Sequence, residues 1–293
     1  MPSAFAVRDG LIMQRAYAKI NIGLRIADRR PDGYHEIETI FHRVNLYDEI
    51  LFRPAGRINV SSTDPAVPVG KDNICYKAAQ VLQHHLGVTD GADIMIHKSI
   101  PLGAGLGGGS ADAGLLLREL PRLWGRAIDE AALFSLALEL GSDVPYFLGR
   151  GVAHARGRGE ILEYFDLGVP YTILLCNPGI SVSTAWAYRQ VGPAGQVWKT
   201  DLKTLVMAGM DDPSRLREEV QNDFEPAVFS AHPEIRHIKQ TLYENGAVFA
   251  LMSGSGSSVF GMFTESRKAR EALQHLASVG YQTALTPPGF AAK

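Results

Sequence analysis

Hydrophobic positions in the first half of the chain alternate before they cluster. Residues 11–15, 18–26, 35–45 and 49–53 carry alternating or β-rich patterns and predict strands. Over 73–86 the apolar spacing turns helical, and 92–97 is a short strand. Over 110–123, Leu115, Leu116, Leu120 and Leu123 share one helical face. A further helix is expected over 130–140, closed by Gly141 as a C-cap. In the second half, 171–176 is an unbroken apolar run, hence a buried strand. An irregular helical stretch follows. Then 233–244 places Ile235, Ile238 and Leu242 at i, i+3 and i+7. Strands are expected over 247–252 and 257–263, around a glycine-serine turn at 253–256. A helix over 266–278 turns Ala269, Ala272, Leu273 and Leu276 inward, and 281–285 is a last strand. The order β, α, β, β, α, β is that of a ferredoxin-like layer. At roughly 150 residues per domain, 293 residues suggest two domains, and the pattern divides them as 1–168 and 169–293.

Glycine is over-represented: 30 residues, about a tenth of the chain against a usual ~7%. Six of the twelve residues from Gly103 to Gly114 are glycine. Hydrophobic residues make up 46% and charged residues 20%, the balance of a folded globular chain. The net charge of -2 gives no footprint for a nucleic-acid or anionic-membrane binder, and the apolar runs are too short to span a bilayer. Cys75 and Cys176 lack zinc-site spacing and read as small buried hydrophobes in a reducing compartment. The start, MPSAFAVRDGLIM, has no cationic segment followed by an apolar one. A cytoplasmic location is therefore expected. The sequence sets no oligomeric state.

The densest glycine stretch, PLGAGLGGGSADA at 101–113, follows a predicted strand and opens a predicted helix. Glycines let backbone N–H groups point into one concavity, and a helix start adds unpaired N–H groups and a positive dipole end. Together they make a phosphate cradle, in which Ser110 supplies a hydroxyl or caps the helix. No Lys-Ser/Thr pair closes the loop, so it is not a Walker A loop. Gly103, Gly105 and Gly108 match G-x-G-x-x-G. However, the loop lies about a hundred residues in, behind strands, and no acidic residue ends a strand some twenty positions on. Three other segments are bland in isolation. In AYAKINIGL (16–24), Ala18, Ile20, Ile22 and Leu24 face one way and Lys19, Asn21 and Gly23 the other, a solvated polar face. GSDVPYF (141–147) offers Asp143 as an ordinary helix cap, and MSGSGSSVF (252–260) is a hairpin.

In this order and spacing the four segments resemble the motifs of the GHMP small-molecule kinase superfamily, and the likeness spans nearly the whole chain. RPDGYHEI (30–37) and NPGISVST (177–184) resemble the branch that uses ATP to phosphorylate the 2-hydroxyl of a cytidine-diphosphate-linked methylerythritol, in non-mevalonate isoprenoid synthesis. The resemblance implies an α+β, two-domain fold: an N-terminal domain like the second domain of ribosomal protein S5, and a ferredoxin-like C-terminal domain. It implies Lys19 and Asp143 as the catalytic pair. ATP would be held by Pro101, Leu102, Gly103, Ala104, Gly105, Leu106, Gly107, Gly108, Gly109, Ser110 and Ala111, with Asn73 and Lys98 near the adenine and ribose. Asn21, Tyr34, His35, Thr184 and Tyr188 would contact the cytidyl substrate. Mg²⁺ would accompany ATP, with Ser110 as its one suggested protein donor. Partners would be small molecules, with no nucleic acid or membrane. Ala104, Ala111 and Ser183 depart from the usual Gly, Ser and Pro. A homoserine or mevalonate kinase has no use for the 31–35 stretch. A non-catalytic nucleotide sensor on this fold is expected to lack Lys19 or Asp143, and both are present.

Overall fold

The computed structural model describes residues 5–7, 10–191 and 198–292. Its first half is built on β1 (Phe5–Val7), β2 (Leu11–Arg29), β3 (His35–Ala55), β4 (Asn59–Ser62), β5 (Gly91–His97), β6 (Val152–Arg156) and β7 (Ile161–Phe165). They form a seven-stranded sheet of order β1-β2-β3-β5-β4, with β6 pairing β3 and β7. The four short strands expected over 11–53 are two long ones. Their hairpin has register shifts at Tyr17/Lys19 and Asn21/Leu24. Such irregularities re-aim side chains, and these flank Lys19 and Asn21. β3 changes partner along its length, pairing β6 through 39–41 and β5 through 49–55. Helices α1 (Ile74–Leu86), α2 (Gly108–Leu123) and α3 (Glu130–Leu140) bury Leu82, Leu116, Leu120 and Ala137 against Ile50, Phe52 and Ile94 of the sheet.

The second half contains β8 (Thr172–Asn177), α4 (Thr184–Gln190), α5 (Leu202–Gly209), α6 (Pro213–Glu219), α7 (Glu225–Ala231), α8 (Pro233–Glu244), β9 (Phe249–Met252), β10 (Val259–Phe263), α9 (Ser266–Ser278) and β11 (Gln282–Thr286). The strands form an antiparallel sheet of order β11-β8-β10-β9, the ferredoxin-like order. The continuous apolar run in β8 has a physical reason: both faces are covered. Leu174 and Cys176 pack with Ile235, Ile238, Ala269 and Ala272 of α8 and α9. Ile173 and Leu175 pack with Ala18, Ile20, Ile22 and Leu106 of the first half. One core therefore joins the two sheets, and the glycine loop and β2 enter it from one side.

Gly141 caps α3 as expected, its N–H bonding Ala137 O, although at φ 164 it is extended and not left-handed. The β6–β7 hairpin was not anticipated, because Ile161 and Tyr164 are exposed and the stretch has no clean alternation. The start of α2 needs correction. α2 begins at Gly108, two residues early, with left-handed Gly107 as its cap. Ser110 therefore lies inside the first turn and is not the cap. Cys75 and Cys176 are buried and unbonded, and burial pushes the Cys176 thiol up to about 12. Among the described residues no helix is long and apolar enough to cross a membrane.

Candidate active site

β2 delivers Lys19 and Asn21 to one side of the strand, as the alternation predicts, but into the interior. A buried ammonium requires partners. Lys19 Nζ donates to Asn21 Oδ1 at 2.7 Å and to Gly105 O at 3.3 Å, and stands 3.3 Å from Asp143 Oδ2. The Lys19 side chain is 5% exposed and that of Asp143 33%, so the carboxylate is the member open to a reactant. Asn21 is itself held, donating through Nδ2 to Thr39 Oγ1, which donates to Gly23 O. Asp143 stands just before the short 3-10 helix Val144–Phe147, whose four residues are buried.

Lys19 N–H bonds Leu106 O, tying β2 to the glycine loop. In that loop Gly103, Gly105 and Gly107 have φ of 61, 76 and 68. Gly105 has no room for a side chain: a Cβ would lie 2.0 Å from Ser253 O. The second glycine-serine turn is thus the wall against which the first is folded. Ser253 Oγ donates to Gly105 O, Ser258 N–H to Ala104 O, and Asn222 Nδ2 to Met252 O and Gly254 O. Beyond the loop, the N–H groups of Gly108, Gly109 and Ser110 open α2 and have no intrahelical acceptor, an arrangement that suits an anion.

A cavity of about 360 Å³ follows this loop, lined by Lys19, Asn21, Pro101 to Ser110 and Asp143. A second, of about 990 Å³, is lined by Tyr34, His35, Ser142, Thr184 and Tyr188. The two share Ser110, Asp143, Arg158, Thr184 and Tyr188. His35 stacks on Tyr188, centroids 5.2 Å apart and planes at 14°, while Phe224 meets Tyr188 edge-on at 4.9 Å. Burial, and behind it the charge of Asp143, pushes the Tyr188 hydroxyl up to about 12. Tyr34 is 52% exposed, and the Arg158 guanidinium lies 4.5 Å from its ring centroid. Thr184 Oγ1 lies 2.9 Å from Ser255 Oγ, which ties the second cavity to the second turn.

Two expected residues do not present their side chains there, and a third reaches the cavity already paired. Asn73 is buried as the α1 cap: its Oδ1 accepts from Cys75 N–H and its Nδ2 donates to Pro68 O, so its amide is already engaged. Lys98 lines the smaller cavity, but its ammonium is bound between Asp48 and Asp112, 3.0 Å from the latter. Ala111 turns into the helical core. Sequence reading missed Arg158, Asn222 and Thr39, and singled out the 252–260 segment without giving Ser253 a role. Arg158 had a signal, Gly157-Arg158-Gly159, a cationic residue at a glycine turn. A Cβ at Gly159 would stand 3.6 Å from Asp143 Oδ1, so this turn abuts the carboxylate. Among the described residues no cluster of three or more His, Cys, Asp or Glu is placed to hold a metal.

The family models for the GHMP kinase N-terminal and C-terminal domains match residues 73–151 and 206–282. The chain is 44% identical over 283 residues to the 4-diphosphocytidyl-2-C-methyl-D-erythritol kinase of Prosthecochloris aestuarii, covering 96% of this chain and 98% of that one. It is 43% identical to the enzyme of that name from Chlorobium chlorochromatii, over 94% and 96%. A crystal structure of 4-(cytidine 5'-diphospho)-2C-methyl-D-erythritol kinase matches with a TM-score of 0.80 at 34% identity, over 95% and 99% of the two chains. Homoserine kinase from Cytophaga hutchinsonii shares the fold, with a TM-score of 0.71 at 20% identity, over 99% and 97%. The chain therefore belongs to the GHMP kinases and, within them, to the 4-diphosphocytidyl-2-C-methyl-D-erythritol kinase family.

Proposed function

We propose that this protein transfers the γ-phosphate of ATP to the 2-hydroxyl of 4-diphosphocytidyl-2-C-methyl-D-erythritol. The observation that carries the reading is the meeting of two cavities at Asp143, one along a glycine loop and helix start, the other walled by aromatic rings. The loop from Pro101 to Ser110 cradles the ATP phosphates, with the α2 N-terminus facing the γ-phosphate. Tyr34, His35 and Tyr188 suit a cytosine, offering ring faces and one polar nitrogen edge. The hydroxyl then lies against Asp143, in line with the phosphate. Phosphoryl transfer through a loose transition state asks first for this alignment.

In this reading Asp143 accepts the hydroxyl proton as the oxygen attacks. Lys19, held by Asn21 and Gly105 O, positions Asp143 and offsets charge gathering on the oxygen and the γ-phosphate. Arg158, on the rim of both cavities, suits the diphosphate of the cytidyl substrate. With no protein-only acidic cage among the described residues, Mg²⁺ would be held mainly by phosphates and water, beside the Ser110 hydroxyl and the Asp143 carboxylate. It would neutralise phosphate charge. Cytoplasmic residence remains part of this proposal.

A coupled ADP-release assay on the purified protein tests the assignment. ADP is expected with the cytidyl substrate and not with homoserine or mevalonate. Comparable kcat/KM on either of those alcohols would refute it.

A further inference from the structure

A cavity of about 960 Å³ in the first half shares no lining residue with the two that meet at Asp143. Its lining includes the apolar side chains of Phe134 and Ile161, 37% and 51% exposed, and the guanidiniums of Arg118, Arg122 and Arg126. The charge of these arginines is incompletely matched. Glu119 pairs with Arg122 at 3.1 Å, leaving Arg118 4.0 Å from the same carboxylate. Burial, and then the charge of Arg43, lowers the Arg118 pKa, with Glu119 opposing the shift. Arg126 has no carboxylate within 4.0 Å among the described residues. Two carboxylates also line the cavity. Glu160 is engaged by the backbone N–H and guanidinium of Arg158, and Glu130 sits in the first turn of α3, where the helix dipole favours it. A lining that joins exposed apolar side chains to three arginines, of which Arg126 has no carboxylate partner and Arg118 only a distant one among the described residues, is the complement of a molecule that is apolar at one end and anionic at the other.

We propose that this cavity binds a small amphipathic anion, an apolar chain or ring carrying a phosphate, sulfonate or carboxylate head. The head lies between Arg118 and Arg126, and the body covers Phe134 and Ile161. Pro145, Leu148 and Gly149 also line the cavity and follow Asp143 within six residues, so an occupant touches the segment that presents that carboxylate. The proposal is independent of the substrate assigned above.

Isothermal titration calorimetry on the full chain tests it, with ADP and CDP present in excess to fill the other cavities. The probe is octyl phosphate below its micelle concentration, compared with octyl glucoside and inorganic phosphate. Octyl phosphate is expected to bind once per chain, and each comparison compound at least about tenfold more weakly. Arg126→Glu and Ile161→Asp, both at exposed positions, should each weaken octyl phosphate by at least about tenfold, with melting midpoint and kinase turnover unchanged. No binding to the wild type, binding that survives both substitutions, or equal affinity for octyl glucoside overturns the proposal. So does sedimentation velocity showing a dimer that Ile161→Asp dissolves, since the face would then be an interface between two copies.

Discussion

Lys19 and Asn21 show what a short window of sequence conveys about a residue and what it omits. Their shared strand face was legible from the alternation, but a lysine-asparagine face reads as solvated. Its burial comes from partners more than 80 positions away, Gly105 O and Ser253 Oγ, which no local pattern announces. Gly107 carries both kinds of constraint, a local backbone angle and distant neighbours. Its φ is +68, and a Cβ would lie 3.1 Å from Phe147 Cζ and 3.2 Å from Lys19 Cε. Gly107→Val adds both left-handed strain and a clash beside the cradle. Calorimetry should show ATP affinity reduced by at least about tenfold in a folded variant, and unchanged affinity would move the phosphates elsewhere. Among the aromatics, His35 lies on Tyr188 while Tyr34 keeps exposed ring surface. Tyr34→Ala should therefore raise KM for the cytidyl substrate by the equivalent of about 1–3 kcal/mol and leave KM for ATP alone. A rise in ATP KM instead would assign Tyr34 to the other cavity.

At the scale of elements, the helices 74–86, 130–140, 233–244 and 266–278 were legible from the spacing of their apolar residues. The β6–β7 hairpin was not, since its strands are held by pairing with β3 more than by their own alternation. The succession of β5, glycine loop and α2 was legible, but the buried ion pairs that hold it were hidden. Asp48 on β3 accepts from Ser99 N–H and Ile100 N–H and binds Lys98, which also meets Asp112 on α2. One cation serves two buried carboxylates. Asp112, whose Oδ1 has no hydrogen-bond partner, lacks the N–H donors that Asp48 enjoys. Burial dominates over the relief that Lys98 gives and, with the charge of Asp48 adding to it, pushes Asp112 up to about 8. The folded chain then keeps a proton that the unfolded chain releases near its ordinary value of 3.8. This group's contribution to stability is full below that value and is lost as pH rises toward about 8. Asp112→Asn removes the dependence. Its melting midpoint relative to wild type should climb from pH 5 to pH 8, and a constant difference would show that Asp112 is ionised throughout.

For the whole molecule, the two halves meet at the site itself. The ferredoxin-like order of the second half could be read from the sequence. The way its 253–256 turn locks onto the loop of the first half could not, because the contact is backbone against backbone across the chain. Gly105→Ala would set a Cβ 2.0 Å from Ser253 O at φ +76. The melting midpoint should drop by at least ~4 °C and ATP affinity should fall in the same variant. Loss of one without the other would separate the interface from the nucleotide site. The claim on which everything else depends is that phosphoryl transfer takes place where the two cavities share Asp143. The direct measurement is kcat of purified, folded Asp143→Asn with the cytidyl substrate, alongside its ATP dissociation constant. Turnover reduced by at least ~10² with ATP binding near wild type is the expected result. A folded variant keeping more than about a tenth of wild-type kcat would contradict it and remove Asp143 from the chemistry.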